Sequence, residues 1–429
     1  MDAIALRRAY HGVVDALDLV RSSSLERAEG MARPERRQLL RELDSSVSGV
    51  IEAVQQLRIG NAQTARPLAA GRASLDAAHD AIRQLSRDGT TLRRQAPSGT
   101  VIEHHLDDAA RSLRAVNVAE APRPVALSFE DRWVWDSWFA EEVVDGRKRH
   151  HMFFLNAPKS LGDPELRHVN ARVGHAVSDD LKTWTEVGEA IGPSTSPAWD
   201  DLATWTGSTV QAPDGTWVMY YTAVSKAEDG HVQRIGMATS KDMMTWTKHP
   251  DPILEANGAH YERLGDSSWV DEAWRDPQVF QDPATGTWHM FVTARAKVGD
   301  VDARGVVGHA TSPDMKTWTA QPPLSAPDRF AEIEVLSHAN PLTGPELTSS
   351  TYAHRQVGPD AISGMFSVPA TTPAGPVDMR RAQPITTPEL YAGHVVEGPD
   401  GTQQIFAFRD TDATGKFHGE VIGPIPYEP

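Results

Sequence analysis

Three stretches of this chain nearly duplicate one another, and a sequence that repeats at this interval has few folds open to it. Gly174-His175-Ala176-Val177-Ser178 runs on to Trp184, Gly236-Met237-Ala238-Thr239-Ser240 to Trp246, and Gly308-His309-Ala310-Thr311-Ser312 to Trp318, with Gly preceding Trp by 10 each time. A turn followed by an aromatic strand recurs beside them. Asp145-Gly146 precedes Met152-Phe153-Phe154, Asp214-Gly215 precedes Trp217-Val218-Met219-Tyr220, Thr285-Gly286 precedes Trp288-His289-Met290-Phe291, and Asp400-Gly401 precedes Ile405-Phe406. From Met152 to Met219 is 67 residues and from Met219 to Met290 is 71, while the 116 from Met290 to Phe406 hold two further units of 58. Short runs of Trp, Tyr, Phe, Val and Thr between such turns read as strands. A four-stranded unit of this length cannot bury both faces alone, and radial stacking on its neighbours covers them. The expected fold class is mainly β, a five-bladed β-propeller over residues 126–429. Trp184, Trp246 and Trp318 are then blade-packing anchors and not site residues.

Residues 1–120 differ in kind: they hold 17 Arg, no Lys, 16 acidic residues and no Trp. Apolar residues recur there at helical spacing, as in Leu6, Tyr10, Val13, Leu17 and Val20, then Leu39, Leu43, Val47, Val50, Val54 and Leu57. Pro34 suits a first turn, Gly60 and Asn61 a helix end, and weaker repeats follow near 68–86 and 101–116. The pattern predicts three or four helices, an α-helical bundle over 1–118 serving packing or homo-oligomerisation. Residues 119–125, with Pro122 and Pro124, read as a linker. Glu103, His104, His105, Asp107 and Asp108 point in different directions on a helix and read as a solvated face, not a metal cluster.

The formal charge of -16 repels polyanions, so neither nucleic acid nor an acidic membrane surface is an expected partner, and neutral or cationic partners remain. No cysteine is present, which removes disulfides, thiolate nucleophiles and Cys-based metal sites. Asp2, Arg7, Arg8, Asp15 and Asp18 interrupt the first apolar residues and no Asn-x-Ser/Thr sequon occurs, so a cytoplasmic location is expected. No cofactor is implied and no metal-ligand set is legible.

In a propeller the first strand of each blade lines the axis, so polar residues recurring once per blade meet in space. Asp136, Thr206, Asp276, Glu334 and Tyr391 recur at spacings of 70, 70, 58 and 57. Acidic groups gathered at one axis raise one another's proton affinity, so one holds a proton while its neighbour stays ionised. Paired carboxylates without cysteine or metal match glycoside cleavage. Trp135 and Trp205 offer flat faces for sugar rings.

On these motifs the second region resembles the furanosidase propellers of glycoside hydrolase families 32 and 68, the invertase and levansucrase group. Trp135-Asp136-Ser137-Trp138 matches the levansucrase nucleophile motif. Gly174-His175-Ala176-Val177-Ser178 with Asp180-Leu181 and Trp184 is similar to the invertase side, and Trp274-Arg275-Asp276-Pro277 to both. The resemblance implies that Asp136 is the nucleophile, that Asp276 binds sugar hydroxyls and stabilises the transition state, and that Glu334 is the general acid/base. Glu332 is the second candidate for that last role, and Val335 stands where the levansucrase motif has Arg. Arg275 would orient Asp276, and Trp135, Trp205, Thr206, Ser208, Glu332, Arg355 and Tyr391 would bind substrate. The implied activity is retaining hydrolysis of β-fructofuranosides such as sucrose or fructo-oligosaccharides. Fructosyl transfer, a family 43-like arabinofuranosidase or xylosidase, and a non-catalytic sugar-binding propeller are the competing readings.

Overall fold

The computed structural model describes residues 33–56, 62–87 and 99–114, single positions between 9 and 20, and residues 123–427 except 340–344, 359–360 and 413. The chain divides into two compact units, residues 1–120 and 121–427.

In the first unit, helices α1 (Arg33–Gln56), α2 (Ala62–Arg87) and α3 (Gly99–Arg114) are complete, and Val13, Leu17 and Val20 are helical too. Leu39, Leu43, Val47, Val50 and Val54 of α1, at spacings of three and four, are buried in one core with Leu75 and Ile82 of α2 and Leu106 and Leu113 of α3. Pro34 is the second residue of α1, where its missing N–H costs nothing. Leu6, Tyr10 and Leu57 and most of the expected linker lie outside the described residues. No helix among the described residues is long and apolar enough to cross a membrane.

The second unit is a five-bladed propeller, each blade a four-stranded antiparallel sheet. Blade I comprises Arg132–Val144, Arg147–Pro158, Arg172–Ser178 and Thr185–Ile191, and blade II Ala203–Gln211, Trp217–Val224, Arg234–Ser240 and Thr247–Lys248. Blade III comprises Trp274–Gln281, Trp288–Arg295, Gly305–Ser312 and Thr319–Gln321, and blade IV Glu334–Ala339, Glu346–Thr351, Gly364–Pro369 and Gln383–Pro384. In blade V, Leu390–Glu397, Gln403–Thr411 and Phe417–Pro426 are completed by Val125–Leu127, which pairs with the last of them and so ties the start of the ring to its end. The aromatic runs are the second strands. Every residue of Trp217–Val224 and Trp288–Arg295 is buried, because each second strand has a blade on either side. Five apolar clusters fill the five blade interfaces; Trp138, Phe153, Met219 and Tyr221 belong to the one between blades I and II.

The near-duplicate Gly-to-Trp segments owe their similarity to one local device. Ser178, Ser240 and Ser312 each donate to an aspartate two residues on, at 3.0, 3.0 and 3.1 Å. Each aspartate then accepts two backbone N–H groups from the turn that follows, and Leu181, Met243 and Met315 take a positive φ inside it. Trp246 and Trp318 donate from Nε1 to the carbonyls of Met243 and Met315, at 2.9 and 3.1 Å, and close the turn over the blade edge.

The first strands touch one another all the way round the ring, which places them at the axis. Each carries a β-bulge at the same height: pairing skips after Trp135, Trp205, Arg275, Glu334 and Tyr391. These five are the equivalent positions, and the bulged residues after them are Asp136, Thr206, Asp276, Val335 and Ala392. The single phase read from the sequence is corrected here. Glu334 and Tyr391 occupy the position of Arg275, one residue before that of Asp276, because the blade III to IV repeat is 59 in register and not 58. A bulge turns successive side chains the same way, so the off-by-one residues still reach the axis.

Candidate active site

The bulges that interrupt the ladders also hold the acidic groups. Asp276, Val335 and Ala392 have φ of 57, 49 and 46°, a left-handed conformation that a β-branched residue such as Val335 adopts only when its surroundings impose it. The surroundings are hydroxyls of the preceding blade's second strand. Thr222 Oγ1 accepts the Asp276 N–H at 2.8 Å, and Ser350 Oγ accepts the Ala392 N–H at 2.9 Å. At the junction between them the carboxylate of Asp276 accepts from Thr293 Oγ1 at 2.8 Å and from the Val335 N–H at 3.3 Å.

These bulges open onto a cavity of about 500 Å³ whose wall includes Asp136, Asp276 and Glu334 together with Arg275 and Glu332. That volume lies within the range of small-molecule sites. Arg275 is the hub. Its Nη2 donates to Glu332 at 2.7 Å and to Glu334 at 2.6 Å, its Nη1 to Gln233 at 3.2 Å, and its Nε lies 3.6 Å from the Asp276 carboxylate. Tyr391 donates its hydroxyl to the other oxygen of Glu334, so Glu334 is gripped from two blades. Thr206 Oγ1 donates to Asp136 Oδ2 at 2.5 Å.

The electrostatics follow from burial. Asp136 is pushed up to about 7, first by loss of hydration and next by the charge of Asp276, against the Thr206 hydrogen bond that favours the ionised form. Asp276 is pushed up to about 6, again chiefly by burial, with Arg275 pulling the other way and Glu334 adding to the rise. Two carboxyls poised near neutrality on one wall can each take up or release a proton in the working range.

Of the residues expected from the sequence, Asp136, Asp276, Glu334, Trp135, Trp205, Thr206, Arg275, Glu332, Arg355 and Tyr391 all line this cavity. Ser208 does not. Its hydroxyl accepts the Val279 N–H at 3.1 Å and pins blade II to blade III, so its place in the substrate-binding set is corrected. Trp135 is only 2% exposed and carries a guanidinium on its ring, so it lacks the open flat face expected of it. Glu332 lies before the first strand of blade IV, and Arg355 approaches it at 3.5 Å.

Several wall residues carry no repeat signal. Asp271, whose pKa burial raises, accepts from Gln233 Nε2 at 2.8 Å and from Trp269 Nε1 at 3.0 Å. Arg167 and His168 come from the 3-10 segment Pro164–Asn170 of blade I, and Tyr352 stacks on Tyr391 with ring centroids 4.0 Å apart. All lie in connections, Gln233 one residue before the third strand of blade II, and there position along the chain says nothing about distance from the axis.

Residues 141–337 match the family model described as glycosyl hydrolases family 32 N-terminal domain. Over this stretch the propeller is similar to family 32. The match takes in Asp276 and Glu334 and begins five residues after Asp136, and the resemblance to the family 32 and 68 enzymes therefore holds beyond the motifs that suggested it. Over 283 residues the chain is 25% identical to the extracellular sucrase of Zymomonas mobilis, covering 56% of this chain and 67% of that one. Over 186 residues it is 30% identical to the insoluble β-fructofuranosidase isoenzyme 2 of Oryza sativa subsp. indica, covering 42% of this chain and 28% of that one. Among solved structures, inulosucrase from Halalkalicoccus jeotgali bound to kestose superposes with a TM-score of 0.58 at 22% identity, covering 70% of this chain and 81% of that one. Bacillus subtilis levansucrase gives 0.53 at 17%, covering 68% and 83%. At such identities the solved structures establish that this propeller has their fold.

Proposed function

We propose that this propeller is a retaining glycoside hydrolase that releases fructose from β-fructofuranosides such as sucrose or short fructo-oligosaccharides. The observation that carries this reading is the convergence of Asp136, Asp276 and Glu334 on one cavity with Arg275 bridging the last two. The similarity to a sucrase and a β-fructofuranosidase points the same way.

In this mechanism a carboxylate oxygen of Asp136 attacks the anomeric carbon of the terminal fructosyl unit. The bond to the leaving oxygen breaks, and that oxygen takes a proton from Glu334. Glu334, now ionised, removes a proton from water; the water oxygen attacks the same carbon and Asp136 departs. Asp276, held by Thr293 and the Val335 N–H, keeps its second oxygen for sugar hydroxyls. Arg275 holds Glu334 in reach.

The test is turnover of sucrose with the products identified. Fructose should appear first as the β anomer by NMR, and oligomers should not accumulate at high sucrose. Initial release of the α anomer would sink the retaining mechanism, and accumulating oligomers would reassign the enzyme as a fructosyltransferase using the same residues.

The nucleophile must be ionised, so kcat/KM is expected to fall as pH drops through about 7. Thr206→Val removes the hydroxyl that stabilises the Asp136 carboxylate and should move this acid limb upward by about one unit, the size of one hydrogen bond to a charged group. A pH–rate profile checks it; an unmoved limb would separate Asp136 from the titration.

A further inference from the structure

Arg167 is a charge that the mechanism above leaves unused. It sits on the 3-10 segment Pro164–Asn170, which Asp163 caps by accepting the Glu165 N–H at 2.9 Å. Its side chain is 5% exposed. The guanidinium lies 4.4 Å from the ring centre of Phe417 and 5.8 Å from that of Trp135. One nitrogen, Nη1, makes both of its hydrogen bonds, to the Pro164 carbonyl at 2.9 Å and to Glu165 at 3.0 Å, while Nε is buried without a partner. The carboxylate of Glu165 is 76% exposed and therefore well screened. A desolvated guanidinium with only a solvated counter-ion is costly to keep, and such groups concentrate where their field acts on chemistry.

The field falls on Asp136. Trp135, on which Arg167 packs, is the residue before it, and both side chains line the same cavity. The groups that face Asp136 are Thr206 of blade II, Asp276 of blade III, Glu334 of blade IV and Arg167. Two of these, Asp276 and Glu334, are carboxyls that oppose its ionisation. Arg275 is taken up by Glu332, Glu334 and Asp276. His168, beside Arg167, is pushed down to about 4 by burial and carries no charge at neutral pH. On its other side Arg167 acts on Tyr352, which is bonded to Asp410.

We propose that Arg167 is a positioning residue for the nucleophile: packed on Trp135 and without a buried counter-ion, its guanidinium is the positive charge that holds Asp136 ionised for attack. The role rests on the fructoside-cleaving reading of Asp136. As a sugar fills the cavity and expels water, the charge of Arg167 gains weight because less solvent screens it.

The test compares kcat/KM against pH on sucrose for the parent, Arg167→Met, Arg167→Gln and Arg167→Lys. Loss of the charge in the Met and Gln variants should raise the acid limb by about half a unit or more, which is a roughly threefold or larger loss of kcat/KM below the limb. The Lys variant, which keeps the charge, should leave the limb in place. A limb unmoved in the Met or Gln variant, or moved equally in the Lys variant, overturns the proposal, whatever happens to KM. A second measurement needs no turnover: denaturation midpoints at pH 5 and pH 9 for Arg167→Met, Asp136→Asn and the double variant. Arg167→Met should destabilise the parent more at pH 9 than at pH 5, and this difference should vanish in the Asp136→Asn background. Persistence of the difference there overturns the proposal. If no fructoside is cleaved at all, the functional reading fails, while this cycle still decides whether Arg167 and Asp136 are coupled.

Discussion

Asp136→Asn is expected to abolish fructose release and, at the same time, to make the propeller more stable at pH 8. The loss of turnover should be on the order of 10⁴-fold or more, because the amide cannot attack the anomeric carbon and water has no other route of comparable ease. The gain in stability follows from the sign of the pKa shift. An aspartate has an ordinary value of 3.8, and in the fold Asp136 is pushed up to about 7 by burial and by Asp276. Between these two values the folded state binds a proton that the unfolded state has lost, so stability falls as pH rises from about 4 to about 7 and stays lower above. A shift of about three units sets an upper bound of about 4 kcal/mol on that loss. The asparagine side chain never ionises and Thr206 can still donate to it, so the variant keeps the stability that the parent gives up. Thermal or chaotrope unfolding at pH 8 and pH 4 checks both halves: a clear gain at pH 8 and no difference at pH 4. An inactive variant of unchanged stability at pH 8 would mean that Asp136 is not the desolvated acid the geometry makes it.

The fold was largely legible because its repeat is written in residues that do local work. The Ser-x-Asp turns and the aromatic second strands recur wherever a blade needs them, so Gly174–Trp184, Gly236–Trp246 and Gly308–Trp318 spell the same structure in similar letters. Blade IV lacks that spelling, and only the length between its neighbours marks its place. The register slips there for the same reason: a repeat of 58 aligns Glu334 with Asp276, whereas the bulges are 59 apart and align it with Arg275. The convergence survived the error because the bulge re-aims neighbouring side chains towards one axis. Ser208 shows the opposite failure. A hydroxyl two residues from the axis position reads as a ligand by strand alternation, yet the bulge at Thr206 breaks that alternation and Ser208 bonds Val279 of the next blade. Arg167, Asp271 and Tyr352 were invisible because they reach the cavity from connections, whose course no periodicity describes.

Arg275→Met is expected to cost both the site and much of the stability of the propeller, because the cation it removes is shared among three buried or half-buried carboxylates. Glu332 and Glu334 lie 2.7 and 2.6 Å from Nη2, and Asp276 lies 3.6 Å from Nε. Taking one partner from a buried ion cluster leaves uncompensated charge in a poorly hydrated place, which costs about 3–5 kcal/mol. The methionine fills most of the volume, so the penalty is electrostatic and must depend on pH. Arg275 pulls the pKa of Asp276 down, so its removal lets that carboxyl rise above about 6 and bind a proton in the fold more readily than in the unfolded chain. The gap in stability between the parent and the variant should therefore be widest at pH 8 and narrow towards pH 5, as the stranded carboxyl is neutralised. A second substitution, Glu332→Gln, removes one of the stranded anions outright and should restore part of the loss in the Arg275→Met background while destabilising the parent. Activity should not return with it, since Glu334 has lost the donor that holds it in reach of the leaving oxygen. Equal losses at both pH values, or no recovery with Glu332→Gln, would show that Arg275 supports the blades by packing and not as the shared counter-ion of the site.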